Sequence, residues 1–210
     1  MIRIFYRVLF VLFLAAGALQ GVAQNTDVSV WVVDSELSES TVNDGDDSVV
    51  FDFEEDIGWG LSFNRHWTRS FSTELSLQKY GAEMNVTPEG EGQVDVGDLE
   101  VTSLTLMGQW HFRRDSRLSP YVGAGLSLMR GEFEFAPDVV EDPAPEQITL
   151  EREIGYALSF GANVNLTDHL ALTGEMKFTP WDARERDGLQ LDEPVEVDPV
   201  TFSAGVRFRF

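Results

Sequence analysis

Apolar and polar residues alternate one by one along most of the chain. That two-residue period marks strands whose faces meet different surroundings. In the last stretch Val200, Phe202, Ala204, Val206, Phe208 and Phe210 share one face, opposite Thr201, Ser203, Gly205, Arg207 and Arg209. Ile154, Tyr156, Leu158, Phe160, Ala162, Val164 and Leu166 likewise oppose Gly155, Ala157, Ser159, Gly161, Asn163 and Asn165. The same rhythm runs through 57–67, 71–78 and 103–112. It predicts eight strands, at roughly 27–37, 53–67, 70–86, 98–112, 119–135, 149–166, 169–181 and 197–210. Connections near 67–70, 112–119 and 166–169 are tight, and those near 38–52, 87–97, 136–148 and 182–196 are longer.

In a soluble sandwich the apolar face would point into a core. In a membrane barrel it points outward and the polar face lines the interior. Three features favour the barrel. The opposing face is small and polar, as a narrow eight-stranded cylinder requires. Trp59, Trp67, Phe71, Trp110, Phe112, Trp181, Phe208 and Phe210 sit near strand ends, where interfacial girdles belong. Short and long connections alternate as periplasmic turns and extracellular loops do, and the chain stops on Phe210 after an alternating strand. The expected fold is all-β: an eight-stranded antiparallel up-and-down transmembrane barrel with both termini periplasmic.

Two strands break parity. Val122, Ala124, Leu126 and Leu128 share a face that Phe133 and Phe135 leave, and Leu75 and Leu77 give way to Ala82, Met84 and Val86. One inserted residue flips a strand's face, so bulges near Met129–Gly131 and Tyr80–Gly81 account for the change. Upper segments standing beyond lipid, with no fixed pattern, account for it equally.

The first stretch follows another rule. Arg3 and Arg7 precede an apolar run from Val8 to Ala16, and Gly21-Val22-Ala23 offers small residues for cleavage. The run is too short to cross a bilayer, which takes about 20 residues. Residues 1–23 therefore read as a cleaved secretory signal and 24–210 as the barrel domain.

Composition narrows the function. The 210 residues include 36 acids and 15 bases, a formal charge of −21. Such acidity excludes a nucleic-acid partner, which needs a basic surface. With no cysteine there is no disulfide framework, thiolate metal site or Cys nucleophile.

Ser119-Pro120-Tyr121-Val122-Gly123-Ala124-Gly125 is similar to the fifth-strand opening of the OmpW family of small outer-membrane barrels. Asp198-Pro199-Val200-Thr201-Phe202-Ser203-Ala204-Gly205, running on to Phe210, resembles that family's closing strand. The first motif also occurs in barrels of the OmpA and OmpX type. The resemblance implies a Gram-negative outer-membrane location. It also implies a narrow passive channel for small, largely apolar solutes, which could leave sideways into the bilayer. Phe208 and Phe210 would then be the signal read by the outer-membrane assembly machinery, with periplasmic chaperones as earlier partners. The alternative is a non-conducting structural or envelope-stress barrel whose acidic loops meet lipopolysaccharide or outside partners.

Strand parity places Glu74, Gln78, Gln109, Glu175, Lys177, Arg207 and Arg209 on the lumen face, with Trp31, Tyr80, Met107 and Tyr121 beside glycine-rich stretches. Unpaired charges inside a barrel are costly, so an internal ion-pair network is expected, with Arg207 near Glu175 or Lys177. Acids crowd the long loops: Glu39, Asp44, Asp46, Asp47, Asp52, Glu54, Glu55 and Asp56, then Glu89, Glu91, Asp95 and Asp98. Clustered carboxylates are ligands for divalent cations that could bridge to lipopolysaccharide, though no metal-loop spacing is present. Arg65, Arg69, Arg113, Arg114 and Arg117 gather at the other pole. His66, His111 and His169 all flank short turns, without a His-x-Ser pair or paired ligand spacing. No enzyme, cofactor or catalytic metal is expected.

Overall fold

The computed structural model describes residues 25–36, 40–44, 47–87, 94–136, 147–149, 153–183, 195–197 and 199–210. The expected signal peptide lies outside the described residues. So do the side chains of 40–56, which carry the first acid cluster.

Eight strands build the wall: β1 (Thr26–Glu36), β2 (Asp47–His66), β3 (Phe71–Thr87), β4 (Val94–His111), β5 (Leu118–Phe135), β6 (Glu153–Asn165), β7 (Leu170–Phe178) and β8 (Val200–Arg209). Each is antiparallel to the next, and β8 returns to pair with β1 from Asp27↔Arg209 to Glu36↔Val200. Closure leaves no free edge, so each strand has a ladder on both sides, as hydrocarbon demands. Short strands add to the long-loop end. Ser40–Asp44 extends β2, Gln147–Thr149 pairs with β5, and Trp181–Ala183 pairs with Val195–Val197. The seventh strand stops at Phe178, short of the expected 181, and Pro180 has no N–H for the ladder.

Parity sorts the side chains as expected. Phe160 is 57% exposed, Leu158 48% and Phe202 41%, whereas Val33, Tyr121 and Arg207 are fully buried. Leu61, Leu75, Leu106, Leu126 and Leu172 continue this outer apolar belt. Trp67, Phe71, Trp110, Phe112, Phe208 and Phe210 border it at the short-turn end. A belt of that extent on a soluble monomer would drive aggregation; in a membrane it faces acyl chains.

Of the two accounts of the parity break, the one by bulges fails at both positions. β4 and β5 pair without interruption from Gly97↔Phe135 to His111↔Tyr121, so there is no insertion near Met129–Gly131. Pairing of β3 with β4 also runs straight through Tyr80 and Gly81. Parity is kept in both strands, and what changes is the chemistry of the inward face. Met129 and Tyr80 point inside, with Phe133 packed against the same interior cluster. The actual irregularities lie on the partner strands. In β2, Ile57 and Gly58 together oppose the single residue between Lys79 and Gly81, and in β4 an extra residue separates Asp95 from Gly97. At Gly58 a Cβ would come within 2.3 Å of the Lys79 carbonyl oxygen, so only glycine fits that bulge.

The wall is uneven. β2 to β5 run 17 to 20 residues, against 9 for β7 and 10 for β8. Since about 9–11 tilted residues cross the hydrocarbon, the β2–β5 side rises well above it.

Candidate functional site

Within the cylinder the inward residues form two layers of opposite character. The layer nearer the short turns is ionic. Arg207 Nη2 meets Glu74 Oε2 at 3.2 Å, and Nε donates to Ser29 Oγ at 3.0 Å. Lys177 Nζ pairs with Glu175 Oε1 at 3.2 Å and donates to Gln78 Oε1 at 3.2 Å and Ser76 Oγ at 3.3 Å. Glu175 Oε2 accepts from the Tyr121 hydroxyl at 3.1 Å. Asn64 Nδ2 donates to Gln109 Oε1 at 2.6 Å, and Gln78 Nε2 to Ser203 Oγ at 3.1 Å. Asp27, Glu74 and Glu175 are thus set against Lys177, Arg207 and Arg209. A buried layer of balanced charge is tolerable where isolated charges would not be.

The pairing differs from the expectation in one respect. Arg207 makes no ion pair with Glu175: in the β7–β8 ladder it stands opposite Ala171, whereas Glu175 and Lys177 stand opposite Ser203 and Thr201, and its guanidinium meets Glu74 from another strand instead.

Above this floor an apolar cluster takes up part of the interior, with Ser35 and Asn85 also buried there. Trp31, Val33, Tyr80, Leu99, Val101 and Met129 form one buried cluster, with Phe133 packed on it. Trp31 joins the layers: its Nε1 donates to Ser62 Oγ at 3.0 Å, and the Arg207 guanidinium lies 5.9 Å from its ring centre. The same guanidinium is 5.7 Å from the Tyr121 ring. Trp31 and Tyr80 were expected on the lumen face beside the polar residues, but their gathering into one apolar layer was not. The glycines do not leave empty room either. A Cβ at Gly161 would lie 2.4 Å from Tyr121 Cζ, so that space is already taken by Tyr121.

Of the eleven residues singled out for the lumen, Trp31, Glu74, Gln78, Tyr80, Met107, Gln109, Tyr121, Glu175, Lys177 and Arg207 are buried, and Arg209 is partly buried at the rim. Phe208 and Phe210 face outward at the short-turn end. Phe210 is tied to the first strand, its N–H donating to Thr26 O at 2.9 Å.

Sequence reasoning missed Asp27, which holds His66 Nε2 at 2.8 Å beneath Arg207. Its signal was present, because Asp27, Ser29 and Trp31 alternate with Val28, Val30 and Val32. It also placed all three histidines beside the short turns, without separating buried from exposed. His169 is exposed, but His66 and His111 are buried with ring centres 5.0 Å apart. His111 Nε2 lies 2.9 Å from Ser72 Oγ. A serine and a histidine thus meet, yet the nearby acid, Asp27, bonds to the other histidine, so no acid–histidine–serine relay is assembled. Among the described residues no group of three or more His, Asp or Glu side chains is placed to hold a metal ion.

Known proteins share this architecture. The OprG outer-membrane protein of Pseudomonas aeruginosa superposes with a TM-score of 0.64 at 15% identity, covering 90% of this chain and 97% of its own. Outer membrane protein W of Escherichia coli gives 0.52 at 21% identity, over 90% and 98%. In sequence, the uncharacterized outer-membrane protein y4mB of Sinorhizobium fredii is 26% identical over 155 residues, 71% of this chain. That alignment spans 64% of y4mB, less than two thirds of its length. The family model described as "OmpW family" matches residues 15–210. The chain therefore belongs to the OmpW family, and its barrel stands in the outer membrane of a Gram-negative envelope.

Proposed function

We propose that the barrel is a narrow passive conduit for small, largely apolar solutes, not an enzyme. One observation carries the proposal: the upper interior is lined by Trp31, Val33, Tyr80, Leu99, Val101 and Met129, directly above a closed ionic floor. An apolar solute arriving from outside gains by entering that layer. It loses by going further down, because the floor's charges would have to give up their partners. The remaining way out is sideways. The wall supports that route beside Gly58, where the ladder breaks between Asp56 and Trp59. A cleft of about 360 Å³ there is lined by both outward Ile57 and Trp59 and inward Tyr80, Ala82 and Leu99.

The tightly bonded floor equally suits the other reading, a non-conducting structural barrel. Uptake across vesicles with a lipopolysaccharide outer leaflet separates the two, since that leaflet is the barrier an apolar solute meets. The conduit should speed entry of naphthalene but not of glucose. Leu99→Glu, at the upper edge of the apolar cluster, should remove that acceleration, and Val101→Thr should reduce it with less disturbance to packing. Uptake no faster than in protein-free vesicles would establish the structural reading instead.

A further inference from the structure

Arginines gather on two adjoining short turns of this acidic chain. The β2–β3 turn carries Arg69, and the β4–β5 turn carries Arg113, Arg114 and Arg117. The two turns lie side by side: Phe71 faces Trp110 in the ladder, and the His111 N–H donates to Ser70 O at 2.8 Å. Among the described residues none of these four arginines is engaged in an ion pair. The third short turn, 166–169, holds Asp168 and His169 and no Lys or Arg. The arginines of the short turns therefore stand on the first two, with Asp115 the one acid among them, while Arg209 at the same rim lies 4.0 Å from Asp27.

The sector is also built. Asn165 Nδ2 donates to Arg114 O at 3.1 Å and Ser116 O at 2.6 Å, and its N–H donates to Arg117 O at 2.8 Å. The Ser116 hydroxyl donates to Arg113 O at 2.8 Å. Three arginines thus stand on a turn pinned from the neighbouring hairpin. Next to them on the outer surface Trp67 is 62% and Trp110 53% exposed.

We propose that this sector binds the phosphate of an anionic glycerophospholipid in the periplasmic leaflet. Guanidinium groups grip phosphate oxygens in a bidentate fork. Tryptophans at headgroup depth hold the glycerol and upper acyl region. A ligand that satisfies both must carry an anion and hydrocarbon together. With a formal charge of −21, the chain as a whole repels anionic headgroups, so attraction has to be local.

The test is native mass spectrometry of the full-length protein released from mixed micelles holding equal phosphatidylglycerol and phosphatidylcholine. Retained phosphatidylglycerol should exceed phosphatidylcholine about tenfold. The triple variant Arg69→Gln, Arg113→Gln, Arg117→Gln should bring the two to parity, since each basic group near such a surface changes binding by up to about fivefold and three together more than cover the tenfold preference. The milder Arg114→Gln should lower the preference part-way, and Arg130→Gln, towards the long-loop end of β5, should leave it unchanged. Equal retention by the wild-type protein, or undiminished preference in the triple variant, would overturn the proposal. Complete displacement by millimolar inorganic phosphate would also overturn it, identifying a free-phosphate site instead. Solute uptake plays no part in this measurement, so it stands or falls separately from the conduit.

Discussion

Arg207 is the residue on which most of the interior converges: Glu74, Ser29, Asp27 and the Trp31 and Tyr121 rings all address its guanidinium. Replacing it with glutamine strands a fully buried Glu74 carboxylate, a loss on the order of 3–5 kcal/mol for a broken buried pair. Arg207→Gln should therefore lower the urea midpoint of unfolding from micelles. Arg207→Met combined with Glu74→Leu should recover most of that loss, because no charge is then left alone. A double variant as weak as the single would mean that the arginine acts through its aromatic neighbours and not through the ion pair. Which residues turn inward was readable from alternation alone. Which of them touch was not, because Arg207 and Glu74 are 133 residues apart and meet only through the tilt of the closed sheet.

At the scale of strands and turns, the expected bulges failed for a reason that generalises. An apolar run that changes parity has two causes, an inserted residue or an inward face that becomes greasy, and a single sequence shows the same letters for both. In β3 and β5 the second cause operates, and Tyr80, Met129 and Phe133 are interior groups. Of the two actual insertions, the one at Ile57 and Gly58 hid behind unbroken Ile57-Trp59-Leu61 alternation and was betrayed only by glycine. Turn chemistry was as poorly legible. Asn165 reads as a polar residue at a strand end, yet its Nδ2 donates to the β4–β5 turn and pins it from 49 residues away. Asn165→Ala removes two side-chain hydrogen bonds, about 0.5–1.5 kcal/mol each. Amide exchange of residues 113–117 should accelerate while that of β2 and β3 stays unchanged. Slow exchange throughout would show that the turn holds its own shape.

For the whole molecule, the central fact is closure. The eight-strand count and outward greasy face were legible because both depend on period and spacing, which survive errors in strand ends. The two-layered lumen was not legible, since it depends on which inward residues share a height. A closed barrel buries every ladder in another, so no strand can leave without breaking hydrogen bonds on both sides. The seam shows this: β8 is bonded to β1 along ten paired residues and to β7 along nine. Detergent molecules coat the outer belt without competing for those bonds. Unheated protein in dodecyl sulfate should therefore keep its compact form and run ahead of the boiled sample on a gel. The temperature of conversion should fall in Arg207→Gln, whose lost interactions span the lumen, and stay unchanged in the triple arginine variant, whose side chains stand outside it. Identical migration before and after boiling would mean that the seam opens in detergent at room temperature, and a barrel with an open seam could not keep its charged floor dry in hydrocarbon.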